Sequence, residues 1–172
     1  MNVLRPGDAA PDFVLKDSQG KDLRLSVYSG HPIVLCFFKR DTNRLDNIEM
    51  LRIRDQHDRL VGMGAVVVGV SLGGVKTHAE WRRKHGIPFH LLSDLEGRVH
   101  DLYDAWRTTL LGRRPAAVRR CTYLIDEDGI IRKAYSSPNV ITHAKGIVTD
   151  VERLQAQRQW GKKDARPRDL LP

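Results

Sequence analysis

The sequence predicts an α/β fold: a mixed central sheet covered by helices on both faces and opened by an amino-terminal hairpin. Three observations carry that expectation. Two continuous apolar runs of strand length, Ile33 to Phe38 and Ala65 to Val70, have the pattern of strands buried on both faces. A helical segment follows each of them, which implies a parallel pair joined by a right-handed crossover. A last pair of apolar runs, separated by Asp126-Glu127-Asp128-Gly129, is followed by a helical stripe, so the domain closes on a hairpin and a helix.

In chain order, Phe13-Val14-Leu15 and Leu23-Arg24-Leu25 flank the turn-forming Asp17-Ser18-Gln19-Gly20 and read as a hairpin. After the Ile33 to Phe38 strand, apolar side chains at Leu45, Ile48, Leu51 and Leu60 predict one amphipathic helix from Leu45 to Val61, with Thr42 or Asn43 as its N-cap. The Ala65 to Val70 strand leads into a helix from Thr77 to His85 that Gly86 and Pro88 terminate. Phe89 to Leu92 is a short strand and Leu95 to Tyr103 a helix. Thr122 to Ile125 and Ile130 to Tyr135 form the closing hairpin. The final helix spans Gly146 to Gln157, with Ile147, Val148, Val151 and Leu154 on one stripe. Residues 1–158 are expected to form the folded domain and 159–172 a basic, mobile tail.

With 172 residues, 41% of them hydrophobic and 29% charged, the chain has globular composition and enough length to bury a core. Met1 to Phe13 contains no apolar run, so neither a signal peptide nor a membrane anchor is expected there. Its only cysteines, Cys36 and Cys121, form no Cys-x-x-Cys pair, and the chain is expected to be cytoplasmic with both thiols reduced. The seven histidines never fall at ligand spacing, so neither a metal nor another cofactor is expected. A net charge of +8 comes from clusters at Arg82 to Lys84, Arg113-Arg114, Arg119-Arg120 and Lys162 to Arg168. Such a surface attracts acidic proteins or nucleic acid, although no nucleic-acid motif accompanies it.

Gly69 and Gly74 stand at the spacing that opens a phosphate-binding loop, and Lys76-Thr77 follow. Val75 breaks the pattern, because the lysine must directly follow the second glycine for its ammonium and the backbone amides to converge on one phosphate. An ordinary strand-to-helix turn is the reading.

The chain resembles a peroxiredoxin (the alkyl hydroperoxide reductase and thiol-specific antioxidant group), and within that family the Q-type, bacterioferritin comigratory protein branch. The residues that carry the resemblance occur in order: Pro6-Gly7-Asp8-Ala9-Ala10-Pro11-Asp12-Phe13, Val34-Leu35-Cys36-Phe37-Phe38, Val68-Gly69-Val70-Ser71, Ile87 to Asp94, and Arg120 to Gly129. The resemblance implies a thioredoxin fold. It also implies a peroxidatic cysteine at the start of the first long helix, where the helix dipole and a later arginine favour thiolate, and that thiolate attacks a peroxide oxygen to become sulfenic acid.

Carried onto this sequence, the family's proline falls on Lys39, its threonine on Thr42, its glutamate on Glu49 and its arginine on Arg120. The cysteine falls on Leu45 counted from Thr42, or on Asp46 counted back from Glu49. Leucine is inert, and a carboxylate offers no soft atom to an electrophilic oxygen. Asp46 in a first helical turn suits the dipole and stands within the family's reach of Arg120.

Three functions follow. The first is a degenerate peroxiredoxin that keeps its fold for protein binding or assembly, with a homodimer among the options. The second is a thiol-dependent peroxidase working through Cys121, whose arginine neighbours favour thiolate, or through Cys36; alternation along the strand aims Cys121 away from the face of Arg120. The third is a basic accessory subunit on an acidic partner or nucleic acid.

Overall fold

The computed structural model describes residues 4–39, 44–106 and 118–164. A hairpin of β1 (Val14–Asp17) and β2 (Asp22–Arg24) opens the chain. The Asp17 carboxylate accepts the backbone N–H groups of Gln19 and Lys21 at 2.8 and 3.0 Å, and Gly20 supplies the left-handed residue at φ +79° that the turn needs. A 3-10 turn at Leu25–Tyr28 leads to β3 (Ile33–Phe37), every residue of which is buried.

The single helix expected over Leu45 to Val61 is instead two, α1 (Arg44–Asp55) and α2 (His57–Gly62), parted at Gln56. Residues 54–59 are all polar, so no apolar contact holds a continuous helix across the gap between Ile53 and Leu60. The N-cap assigned to Thr42 or Asn43 lies outside the described residues. Next come β4 (Val66–Ser71), α3 (Val75–His85) and β5 (His90–Ser93). Gly86, at φ +60°, closes α3 as the sequence requires.

The helix expected over Leu95 to Tyr103 shrinks to α4 (Arg98–Leu102), because Gly97 at φ +72° stands in a conformation no helix continues through. After β6 (Cys121–Ile125) and β7 (Ile131–Ser136), α5 starts at His143, three residues ahead of the expected Gly146. It runs to Asp164, into the segment from residue 159 that was expected to be a mobile tail. Residues 165–172 of that tail, and the cluster Arg113-Arg114, lie outside the described residues.

The seven strands form one sheet in the order β2-β1-β5-β4-β3-β6-β7, with β3, β4 and β5 parallel and the other pairings antiparallel. Alternation along each strand sorts the core into two layers. Val34, Cys36 and Phe38 face Met50 and Ile53 of α1, Trp81 of α3 and Ile147, Val148 and Val151 of α5. Leu35, Phe37, Val68 and Val70 face Val99, Tyr103 and the amino-terminal Phe13. Burying each such large apolar side chain stabilises the fold by roughly 1.5–3 kcal/mol. Gly69 explains the false phosphate-loop signal: it lies inside β4, where a Cβ would meet Leu91, Met50 and Phe38 at 2.9–3.1 Å, so its glycine serves packing.

Candidate functional site

The elements that carry the predicted site converge on the α1 and α5 side of the sheet, at the β6 edge of β3. Arg120 precedes β6, and the two-residue period of a strand places it with Thr122. Its Nη1 stands 3.4 Å from Oε2 of Glu49, which α1 holds beside the buried Met50. The two side chains are 17% and 6% exposed, so this pair is largely withdrawn from water and from salt screening. Oε1 of the same carboxylate lies 3.5 Å from Nε2 of His143, the first residue of α5, and that nitrogen is 2.9 Å from Oγ1 of Thr122.

Burial holds the His143 imidazole down to about 4, with Arg120 and Lys133 adding to the effect, so the ring is neutral at pH 7. Nε2 of His143 therefore stands between the Glu49 carboxylate, which only accepts, and the Thr122 hydroxyl, which donates or accepts according to the imidazole tautomer. Thr122 also stands opposite Cys36 in the β3–β6 register, so the two side chains share a face of the sheet. Tyr135 packs edge-on against the His143 ring at 4.8 Å and donates to Asp150, which also accepts from Lys133.

The two thiols lie on opposite faces of the sheet. Cys36 pairs with Thr122 and Cys121 with Phe37, so neighbouring strands aim the two sulfurs into different core layers, and no disulfide joins them without turning a strand over. Burial raises both thiols. Cys36 is pushed well above the ordinary cysteine range, with Glu49 adding to the rise, and Cys121 is pushed up to about 12 despite the opposing pull of Arg119. Cys121 sits among Phe37, Tyr123 and Tyr103, on the far side of the sheet from Glu49 and His143.

Of the residues singled out by sequence, the structure brings Glu49, Arg120 and Cys36 to one face and puts Cys121 on the other. Leu45 and Asp46 occupy the first turn of α1 by their backbone, and Thr42 lies outside the described residues. Thr122 and His143 were missed. The signal for Thr122 was available, since it stands two residues after Arg120 in a strand. His143 carries no local signal, because its position depends on how α5 packs against β6. Among the described residues, no group of three histidine, cysteine or acidic side chains converges as a metal would require.

A sheet with three parallel strands and an antiparallel closing pair, backed by α1, α3 and α5, defines a thioredoxin-fold protein. The chain belongs to the AhpC/TSA family, the peroxiredoxins, whose family model matches residues 6–134. It is 32% identical over 162 residues to peroxiredoxin Bcp of Bacillus subtilis (strain 168), across 94% of this chain and 99% of that protein. Peroxidoxin BcpB from Mycobacterium tuberculosis superposes with a TM-score of 0.79 at 28% identity, over 87% of this chain and 97% of that one. The bacterioferritin comigratory protein of Xanthomonas campestris gives a TM-score of 0.79 at 25% identity, over 89% and 98% of the two chains.

Proposed function

We propose that this chain is a peroxiredoxin-family protein that retains the fold for protein binding or assembly and has no peroxide-attacking thiol at the start of α1. The observation that carries the reading is the state of its two cysteines. The positions aligned with the family's nucleophile are Leu45 and Asp46, and the remaining thiols are buried, protonated at neutral pH and separated by the sheet. A thiol, unlike a thiolate, is a poor nucleophile toward peroxide.

A second reading, thiol-dependent peroxidase, is favoured by the family and by the relatives named peroxiredoxin, and the Xanthomonas campestris protein has an alkyl peroxide reduction activity. If this chain shares it, the geometry supports Cys36 over Cys121. Only Cys36 shares a face with Glu49 and His143, opposite Thr122 in the β3–β6 register. In that chemistry the thiolate takes one peroxide oxygen as the O–O bond breaks, the other oxygen leaves as water or alcohol, and an external thiol restores the sulfur.

Peroxide consumption by the purified protein with thioredoxin or dithiothreitol, beside Cys36→Ser and Cys121→Ser, separates the readings. The first expects no turnover in any form. Turnover lost only in Cys36→Ser would overturn it in favour of the second.

A further inference from the structure

The bases of α3 stand apart from most others on the described surface. Elsewhere a base commonly faces a carboxylate, as Lys16 faces Asp22, Arg59 faces Glu152 and Arg98 faces Glu96. Lys76, Arg82, Arg83 and Lys84 have no carboxylate at ion-pairing distance among the described residues. The helix dipole accounts for part of the cluster, because bases suit a carboxyl-terminal turn, but it supplies only about half a negative charge there.

Lys76, Ala79 and Arg83 recur at i, i+3 and i+7 and are all exposed, so they form one stripe about 10 Å long. Beside the stripe, between α3 and the β1–β2 turn, lies an open hollow of about 380 Å³ lined by Ser18, Gln19, Arg82 and Arg83. Arg82 is held there without being neutralised. Its Nε donates to the Ile87 carbonyl at 3.0 Å and its Nη2 to the Pro88 carbonyl at 3.4 Å, while Nη1 stands 3.5 Å from Oγ of the buried Ser18. Carbonyls and a hydroxyl satisfy its donors and leave its charge in place. Two acids stand nearby. Asp17 is buried and accepts the N–H groups of Gln19 and Lys21, and Glu80 is the one acid of α3. Against these two stand Lys21 and the four bases of α3, and the Lys16–Asp22 and Arg54–Asp55 pairs at the margins are neutral in themselves. The face therefore keeps a clear positive surplus.

The surroundings decide what such a face binds. A protein interface depends on apolar or aromatic anchors at its centre, and the large rings nearby, Trp81 and Phe89, are buried. Their burial also leaves no platform on which unpaired bases could stack. A row of phosphates asks only for spaced cations and a hydroxyl, which the face supplies.

We propose that the α3 stripe and the hollow beside it bind the phosphodiester backbone of duplex nucleic acid, with Lys76, Arg82 and Arg83 each on a phosphate and Ser18 donating in the hollow. Contacts to the backbone carry no sequence information, so no base-reading motif is required. The proposal is independent of peroxide consumption, since neither thiol, nor Glu49, nor Arg120 takes part.

Fluorescence anisotropy of the full chain with a labelled, mixed-sequence DNA duplex of about 20 base pairs, between about 50 and 200 mM sodium chloride, tests it. Binding is expected at low salt, and the logarithm of the association constant should fall against that of salt with a slope of about −3, as for three neutralised phosphates. Lys76→Glu and Arg83→Glu should each weaken binding roughly tenfold and lessen the slope by about one, with thermal unfolding unchanged because both side chains are exposed. Lys145→Glu, at an exposed base of α5, makes the same change in net charge and should weaken binding by about twofold or less. No binding at the lowest salt overturns the proposal. So does an affinity that all three variants lower equally, which would make it a matter of net charge alone, or one that survives Lys76→Glu and Arg83→Glu combined, which would move the contact to another basic cluster. Polyglutamate that displaces the duplex at equal concentration of charge would assign the face to an acidic protein and overturn it as well.

Discussion

Lowering the pH from 7 to 5 should destabilise this protein through His78, and replacing that residue with glutamine should remove the effect. His78 of α3 is fully buried, with Nε2 2.8 Å from Oγ of Ser71 and Nδ1 3.2 Å from Oγ of Ser93. Both partners are neutral hydroxyls, and burial alone holds the imidazole from its ordinary 6.5 down to about 4. The unfolded chain therefore takes up a proton before the folded one does. The stability His78 contributes is fully present above pH 6.5 and is lost progressively as the pH falls toward the folded value near 4. The difference amounts to about 3 kcal/mol in all, of which about 2 kcal/mol is gone by pH 5. Guanidinium unfolding of wild type and His78→Gln at a series of pH values measures it. Glutamine keeps a group able to bond both serines but cannot titrate, so the gap between the two proteins should narrow by about 2 kcal/mol between pH 7 and 5. His143, also held near 4 by burial, contributes equally to both and cancels in the comparison. A constant gap across that range would refute a neutral, buried His78.

Two further substitutions probe the packing that positions the site. Gly69→Ala puts a methyl group against Leu91, Met50 and Phe38 and should cost roughly 1–3 kcal/mol of stability in chemical denaturation, since it overpacks the contact between α1 and the sheet. Glu49→Ala removes the carboxylate that Arg120 and His143 share and should cost roughly 2–4 kcal/mol, with Glu49→Gln costing less because it retains a hydrogen-bond acceptor; unfolding midpoints of the three proteins decide this.

Much of the fold was legible because its signals are local. The apolar runs at Ile33 to Phe38 and Ala65 to Val70 could only be buried strands. Asp126-Glu127-Asp128-Gly129 marked its hairpin through a carboxylate that accepts the N–H groups of Asp128 and Ile130 at 3.0 and 2.8 Å. What failed was continuity. Nothing in a count of apolar positions reveals that the polar stretch 54–59 divides the first long helix, or that Gly97 takes a left-handed conformation and delays α4. The site was legible in part for the same reason. Glu49 and Arg120 came from ordered motifs, whereas the link from His143 to Thr122 joins residues 21 apart and exists only once α5 lies on β6.

The survival of Glu49 and Arg120 is weaker testimony to peroxide chemistry than it first looks. Once a guanidinium and a carboxylate are buried together, deleting either strands the other in a poorly hydrated place, at a cost of roughly 3–5 kcal/mol when burial is complete. Here each also belongs to a longer chain of contacts, because the same carboxylate meets His143, which in turn bonds Thr122. Stability alone is therefore enough to retain the pair after the reaction it served is gone. The nucleophile has no such protection. A thiol in the first turn of a helix contributes little packing that leucine or aspartate does not replace, and aspartate even gains from the helix dipole. Loss of the sulfur with retention of its ion-paired surroundings is thus the order in which a peroxidase site on this scaffold would decay, and under the function proposed above Leu45, Asp46, Glu49 and Arg120 fit that order.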